Sequence, residues 1–184
     1  MIDKQLKSEH SNQHIILLGY MGCGKSTIGR LLAKKLKIPF VDMDNFLSET
    51  HGCSVPNLFK KHGEIGFRKL EKKALKDLLA STQVSVLSLG GGTPCYADNM
   101  QSVIQSTTHT FYLSPTISIL CDRLYFEKDH RPIISHLATE DELQDFIAKH
   151  IFERKQFYEQ ANHHMYVRYE TPQELVNQII KKLG

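Results

Sequence analysis

Nine residues near the start of the chain, Gly19-Tyr20-Met21-Gly22-Cys23-Gly24-Lys25-Ser26-Thr27, fit the pattern G-x-x-x-x-G-K-[ST] of a phosphate-binding loop (P-loop). This stretch constrains the fold more than any other, because such a loop works only as the turn between a buried strand and a helix. Both neighbours are present. Ile15-Ile16-Leu17-Leu18 is an apolar run suited to a strand covered on both faces. Ile28, Leu31, Leu32 and Leu36 recur at the spacing of one helical stripe. In that setting the glycines let backbone N–H groups turn inward onto phosphate oxygens, and the positive N-terminal end of the helix adds to them. Lys25 is placed to reach β- and γ-phosphates and the Ser26 hydroxyl to ligate Mg²⁺.

The rest of the chain alternates strand and helix signals. Residues 38–44 read as a second strand ending in acids, with Pro39 at its start, where a missing donor is tolerated. A short helical piece follows to residue 50, stopped by His51-Gly52. Ser54 is placed to cap a helix ending near Gly63, and a longer helix spans residues 64–79 on the stripe Phe67, Leu70, Ala74, Leu75 and Leu78. Residues 84–89 form a third strand running into Gly90-Gly91-Gly92. Helix is expected at 97–105, strand at 110–113, helix at 116–126 and 140–161, and a fifth strand at 165–169. Thr171-Pro172 supplies a cap and an N1 proline for a last helix. This alternation predicts a three-layer α/β/α fold around a central five-stranded parallel sheet. Ligands of such sheets collect beyond the carboxyl ends of the strands. The P-loop, Asp42, Asp44, the triple glycine and residues 169–172 all fall there.

Length and composition set the remaining limits. The 184 residues match one domain, with 41% hydrophobic and 23% charged residues. No apolar run reaches the roughly 18 residues of a membrane span, so no membrane partner is expected. Residues 1–12 are polar and read as a frayed leader without the apolar core of a signal peptide. A formal charge of +3, spread along the chain, gives no reason to expect a nucleic-acid partner. Cys23, Cys53, Cys95 and Cys121 lack metal-binding or disulfide spacing, which fits a reducing cytoplasm. The ten histidines read as solvated surface groups, and the adjacent pair His163-His164 would point to opposite faces of a strand.

A P-loop does not identify the phosphate acceptor. Most P-loop enzymes carry a carboxylate near Mg²⁺ at the end of a second strand, where this chain offers Ser88. Asp42 is the substitute, two residues from Asp44 and on the same face if the strand stays extended. Asp42 would steady Mg²⁺ while Asp44 takes the proton of an acceptor hydroxyl. The alternative for the pair is an Asx turn or helix cap. Three consecutive glycines cost ordering entropy, which a close approach of backbone to ligand justifies.

In this combination the chain resembles the shikimate kinases, of the P-loop NTPase, nucleoside-monophosphate-kinase-like fold. The matching pieces are the P-loop with Ile28-Gly29-Arg30, Asp42-Met43-Asp44, Gly66-Phe67-Arg68, Gly90-Gly91-Gly92 and Arg131-Pro132. The resemblance implies transfer of the γ-phosphoryl of ATP to the 3-hydroxyl of shikimate, with Mg²⁺, by a monomeric enzyme of aromatic amino-acid biosynthesis. It implies ATP contacts at Gly22, Cys23, Gly24, Lys25, Ser26, Thr27, Arg123 and Arg131, with adenine near Thr171 and Pro172. Shikimate contacts are implied at Asp44, Arg68, Gly90, Gly91, Gly92 and Arg154, and metal contacts at Ser26 and Asp42. Lys25, Asp44 and Arg131 would be catalytic, with Asp44 the base. A substrate-binding region at about 44–71 and a mobile lid at about 122–136 are implied within one domain. Cys23 stands where the family more often has Ala or Ser, either as a harmless small residue or as a reactive thiol beside Lys25. Two other readings stay open: a kinase of the same fold acting on gluconate or a nucleoside monophosphate, and a nucleotide-dependent switch without small-molecule turnover.

Overall fold

Burial along the first strand sets the architecture. The computed structural model describes residues 13–128, 131 and 133–184, so the expected leader at residues 1–12 lies outside the described residues. All four residues of β1 (Ile15–Leu18) are buried. Ile15 and Leu17 enter one apolar core, and Ile16 and Leu18 enter another on the opposite face. Period-two alternation of purely apolar residues requires cover on both sides.

Among the described residues that cover comes from seven helices. In chain order the elements after β1 are α1 (Lys25–Leu36), β2 (Phe40–Asp42), α2 (Met43–His51), α3 (Val55–Leu79), β3 (Val86–Ser88), α4 (Asn99–Ser106), β4 (Thr110–Pro115), α5 (Ile117–Tyr125), α6 (Glu140–Tyr158), β5 (His163–Val167) and α7 (Pro172–Leu183). The strands are parallel in the order β2-β3-β1-β4-β5. Helices α1, α5, α6 and α7 supply the core containing Leu17, Leu32, Leu120, Ile147, Val176 and Ile179. Helices α2, α3 and α4 supply the other, around Leu18, Leu47, Phe67, Leu75 and Val103. Among the described residues no helix is long and apolar enough to cross a membrane.

Caps place several boundaries where the sequence put them. Thr171 and Glu174 form a reciprocal capping box at the start of α7, and Gly52 ends α2 in the left-handed conformation. The break expected at Gly63 is present inside α3, where φ is 65° and ψ −179°. Three expectations need correction. The second strand stops at Asp42 and does not reach Asp44, because Asp42 accepts a hydrogen bond from the Asp44 N–H at 3.1 Å and starts a helix. The fifth strand begins two residues early, at His163, and the helix expected to reach residue 161 ends at Tyr158.

The histidines are also less solvated than expected. The ring of His163 stacks on Phe111 at 4.7 Å, and that of His164 meets Tyr112 edge-on at 5.7 Å. His14 is buried, with Nδ1 3.1 Å from Ser85 Oγ. Imidazoles serve here as flat packing groups with a polar edge.

Candidate active site

The loop from Gly19 to Gly24 turns directly off the carboxyl end of β1. Gly19 has φ +141°, and a Cβ there would come within 2.6 Å of Leu113 O, so the strand-to-loop turn accepts only glycine. Gly24 caps α1 in the left-handed conformation, leaving the first N–H groups of the helix without a side-chain partner. Lys25 Nζ folds back to donate to Gly19 O at 2.8 Å and Tyr20 O at 3.0 Å. Arg123, from α5, donates to Gly22 O at 3.0 Å. Cys23 is fully buried beneath the loop, 3.6 Å from Lys25 Nζ. It has no exposed surface for chemistry, which favours the small-filler reading over the reactive thiol.

The acidic pair divides its work differently from an extended D-x-D. Asp42 lies opposite Ser88 in the β2–β3 register, one strand over from the position where the acid is usual. Its Oδ1 caps α2, and its Oδ2 accepts from Ser26 Oγ at 2.7 Å. The cap weighed as an alternative and the P-loop contact therefore coexist in one carboxylate. Ser26 and Asp42 are both hard oxygen donors, and one carboxylate with one hydroxyl suits Mg²⁺, which keeps waters and substrate phosphates as its other ligands. Among the described residues no cluster of three or more His, Cys, Asp or Glu competes as a metal site.

Two cavities open at this end of the sheet. The first, of about 340 Å³, is lined by Gly22, Gly24, Lys25, Ser26, Thr27, Asp42, Ser88 and Arg123. The second, of about 550 Å³, is lined by Val55, Pro56, Phe59, Lys60, Phe67, Arg68, Glu71, Gly92, Ile133, His150 and Arg154. Met21, Asp44, Gly90, Gly91 and Arg131 line both. The triple glycine lines these cavities, and its first and third positions are tightly packed. A Cβ on Gly90 would lie 2.8 Å from Thr93 Oγ1 and 3.1 Å from both Asp44 Oδ1 and Glu71 Oε1, and one on Gly92 would lie 2.7 Å from Arg68 Nη2.

Charge in the second cavity is held by a network. Arg68 forms an ion pair with Glu71, one turn along α3, and Thr93 Oγ1 donates to Glu71 Oε1 at 2.5 Å. Glu71 is only 2% exposed. The Arg154 guanidinium lies over the Tyr20 ring, 5.5 Å from its centroid. Arg131 donates through Nε and Nη2 to Glu127 Oε2, at 3.1 and 2.6 Å. Asp44 opens to solvent through the cavity mouth but has protein on its other sides. Desolvation there, then the carboxylates of Asp42 and Glu71, outweigh Lys25 and Arg68 and push its pKa up to about 6.

The structure thus gathers Gly22, Gly24, Lys25, Ser26, Thr27, Asp42, Asp44, Arg68, Gly90, Gly91, Gly92, Arg123, Arg131 and Arg154 around two joined cavities. Thr171 and Pro172 are exposed at the cap of α7 and line neither one. Of the residues expected to form a lid, Asp129, His130 and Pro132 lie outside the described residues, and Ile134 is fully buried. Sequence reasoning missed Glu71, Glu127 and His150. Glu71 had a signal: it falls in step with Phe67, Ala74, Leu75 and Leu78, an acid on an apolar stripe.

Comparison with known proteins agrees with this geometry. The family model described as shikimate kinase matches residues 21–184. A shikimate kinase of Flavobacterium johnsoniae is 42% identical over 172 residues, covering 94% of this chain and 99% of that protein. The crystal structure of a shikimate kinase from Bacteroides thetaiotaomicron has a TM-score of 0.83 at 36% identity, covering 94% of this chain and 97% of its own. A shikimate kinase of Acinetobacter baumannii in complex with shikimate has a TM-score of 0.83 at 29% identity, over 97% and 96% of the two chains.

Proposed function

The chain belongs to the shikimate kinase family, and from that premise we propose how its residues divide the reaction. The reaction is the transfer of the γ-phosphoryl of ATP to the 3-hydroxyl of shikimate, within aromatic amino-acid biosynthesis. One observation carries the division of labour. Asp44, Gly90, Gly91 and Arg131 line both cavities, so a donor phosphate in the first and an acceptor hydroxyl in the second meet beside them.

The first cavity takes the triphosphate. Loop amides from Gly22 to Thr27 donate to its oxygens, Lys25 exchanges its carbonyl partners for β- and γ-phosphate, and Arg123 flanks the nucleotide. Ser26 and Asp42 would hold Mg²⁺, which when bound neutralises phosphate charge. Adenine would extend out of the first cavity toward Thr171 and Pro172, which lie beyond its lining.

The second cavity takes shikimate, a small carboxylate with three hydroxyls. Arg68 and Arg154 present planar donor forks to the carboxylate. Gly90, Gly91 and Gly92 let the backbone approach the ring, and Phe59 and Phe67 pack its apolar edges. Asp44 accepts the proton of the attacking hydroxyl. A carboxylate with pKa near 6 is ionised at neutral pH yet more basic than an ordinary aspartate, which suits a general base. Arg131 leaves Glu127 for the transferring phosphoryl group and offsets its charge. Residues 44–71 form the acceptor region and residues 122–136 the lid, whose closure excludes water. The enzyme acts as a monomer in the cytoplasm, a compartment consistent with four free cysteines.

Calorimetric titration of shikimate into wild type, Arg68→Ala and Arg154→Ala tests the acceptor assignment. Each variant is expected to weaken shikimate binding by roughly tenfold or more, as loss of a charge-assisted contact implies. Unchanged affinity in both would remove the second cavity as the acceptor site.

A further inference from the structure

The two arginines of the second cavity are held in different ways. Arg68 is paired with Glu71, so part of its charge is already compensated. Among the described residues Arg154 has no acid partner within ion-pair distance. Its guanidinium lies over the Tyr20 ring, 5.5 Å from the centroid. An aromatic face orients a guanidinium without neutralising it, leaving the full charge for an incoming anion.

Tyr20 is itself tightly fixed. It is 2% exposed, and its hydroxyl lies 3.1 Å from Nδ1 of His150, one turn before Arg154 on α6. Burial and the neighbouring Arg154 lower the His150 pKa, so the imidazole is neutral near pH 7 and can accept from the phenol. The carbonyl of the same tyrosine accepts from Lys25 Nζ at 3.0 Å.

We propose that Tyr20 is a positioning residue for the acceptor: its ring aims Arg154 at the shikimate carboxylate. The proposal rests on the assignment of Arg154 to the carboxylate. It gives the second position of the P-loop, free in the motif, a task in acceptor binding.

The test is a double-mutant cycle of wild type, Tyr20→Leu, Arg154→Ala and the double variant, with Tyr20→Phe alongside. Tyr20→Leu should raise KM for shikimate roughly five- to thirtyfold, the ratio that a desolvated cation–π contact represents. KM for MgATP should move far less. Tyr20→Phe keeps the ring and should retain most of the wild-type KM for shikimate. The double variant should be no worse than Arg154→Ala alone, because Tyr20 acts through that arginine. Additive effects, an unchanged KM in Tyr20→Leu, or Phe as damaging as Leu would overturn the proposal. If Arg154→Ala itself leaves KM unchanged, the carboxylate assignment has failed. Should Tyr20→Leu not fold, the Nε–H proton of Arg154 in the wild-type protein decides: the ring should shift it upfield, and an unshifted resonance refutes the stacking.

Discussion

Replacing Glu71 by alanine removes the one acid on the buried stripe of α3. The side chains of Glu71 and Arg68 are 3% and 19% exposed, so Glu71 sits in the interior and Arg68 reaches the cavity. Breaking a buried ion pair from one side costs about 3–5 kcal/mol. Arg68 can partly rehydrate through the cavity, which lowers that figure. Thr93 cannot: it is fully buried, and its remaining side-chain contact is a weak one to Met43 Sδ at 3.7 Å. An orphaned hydroxyl costs about 1–3 kcal/mol. Together these place Glu71→Ala at about 3 kcal/mol destabilised, a fall in Tm of roughly 6–12 °C for a domain of this size. Glu71→Gln keeps the volume and an acceptor oxygen and should lose about half as much. Urea unfolding at pH 7 measures both. The Gln variant carries a second signature, because the Glu71 carboxylate helps raise the Asp44 pKa. Its removal should move the acid limb of kcat/KM to lower pH. An alanine variant within about 1 kcal/mol of wild type, comparable to an ordinary surface site, would refute the network as a structural element.

Other outcomes follow from the same geometry. With Asp44 as base, kcat/KM should fall as pH drops through about 6, and Asp44→Asn should lose roughly 10²–10⁴-fold in kcat. The folded-state pKa is raised above the ordinary 3.8, so ionising Asp44 opposes folding above about pH 6 and not below pH 4. Asp44→Asn should accordingly gain stability at pH 8 but not at pH 4 in parallel denaturation curves. Gly29→Ala sets helix propensity, worth about 1 kcal/mol in favour, against a Cβ 2.3 Å from Phe40 Cε2. Overpacking costs about 1–3 kcal/mol, so a net loss in urea unfolding is expected, and a net gain would show that Phe40 moves freely. Ser26→Ala should raise the Mg²⁺ concentration needed for half-maximal activity, which a metal titration at fixed ATP measures.

Local chemistry made much of this legible. The P-loop pattern, the apolar period of β1 and the caps at Gly52 and Thr171 are decided within a few residues, and each lies where the sequence placed it. Contacts between distant segments were harder to read. One local competition also stayed open: Asp42 turned a strand end into a helix start because its side chain captured the N–H of Asp44, two residues on. His163 and His164 read as polar, yet β4 supplied aromatic faces to pack them. Glu71 became a network centre only when a loop from β3 brought Thr93 beside it. Tyr20 gained its partners across 130 residues of chain.

The central claim concerns the acceptor, and ADP release tests it directly. Purified protein with MgATP should release ADP slowly alone, and with gluconate or AMP, but rapidly with shikimate, and ³¹P NMR should show the phosphate on the 3-hydroxyl. Stimulation by gluconate or AMP in place of shikimate would contradict the assignment of Arg68 and Arg154 to the shikimate carboxylate. Tight ATP binding with no stimulation by any acceptor would contradict the kinase account as a whole.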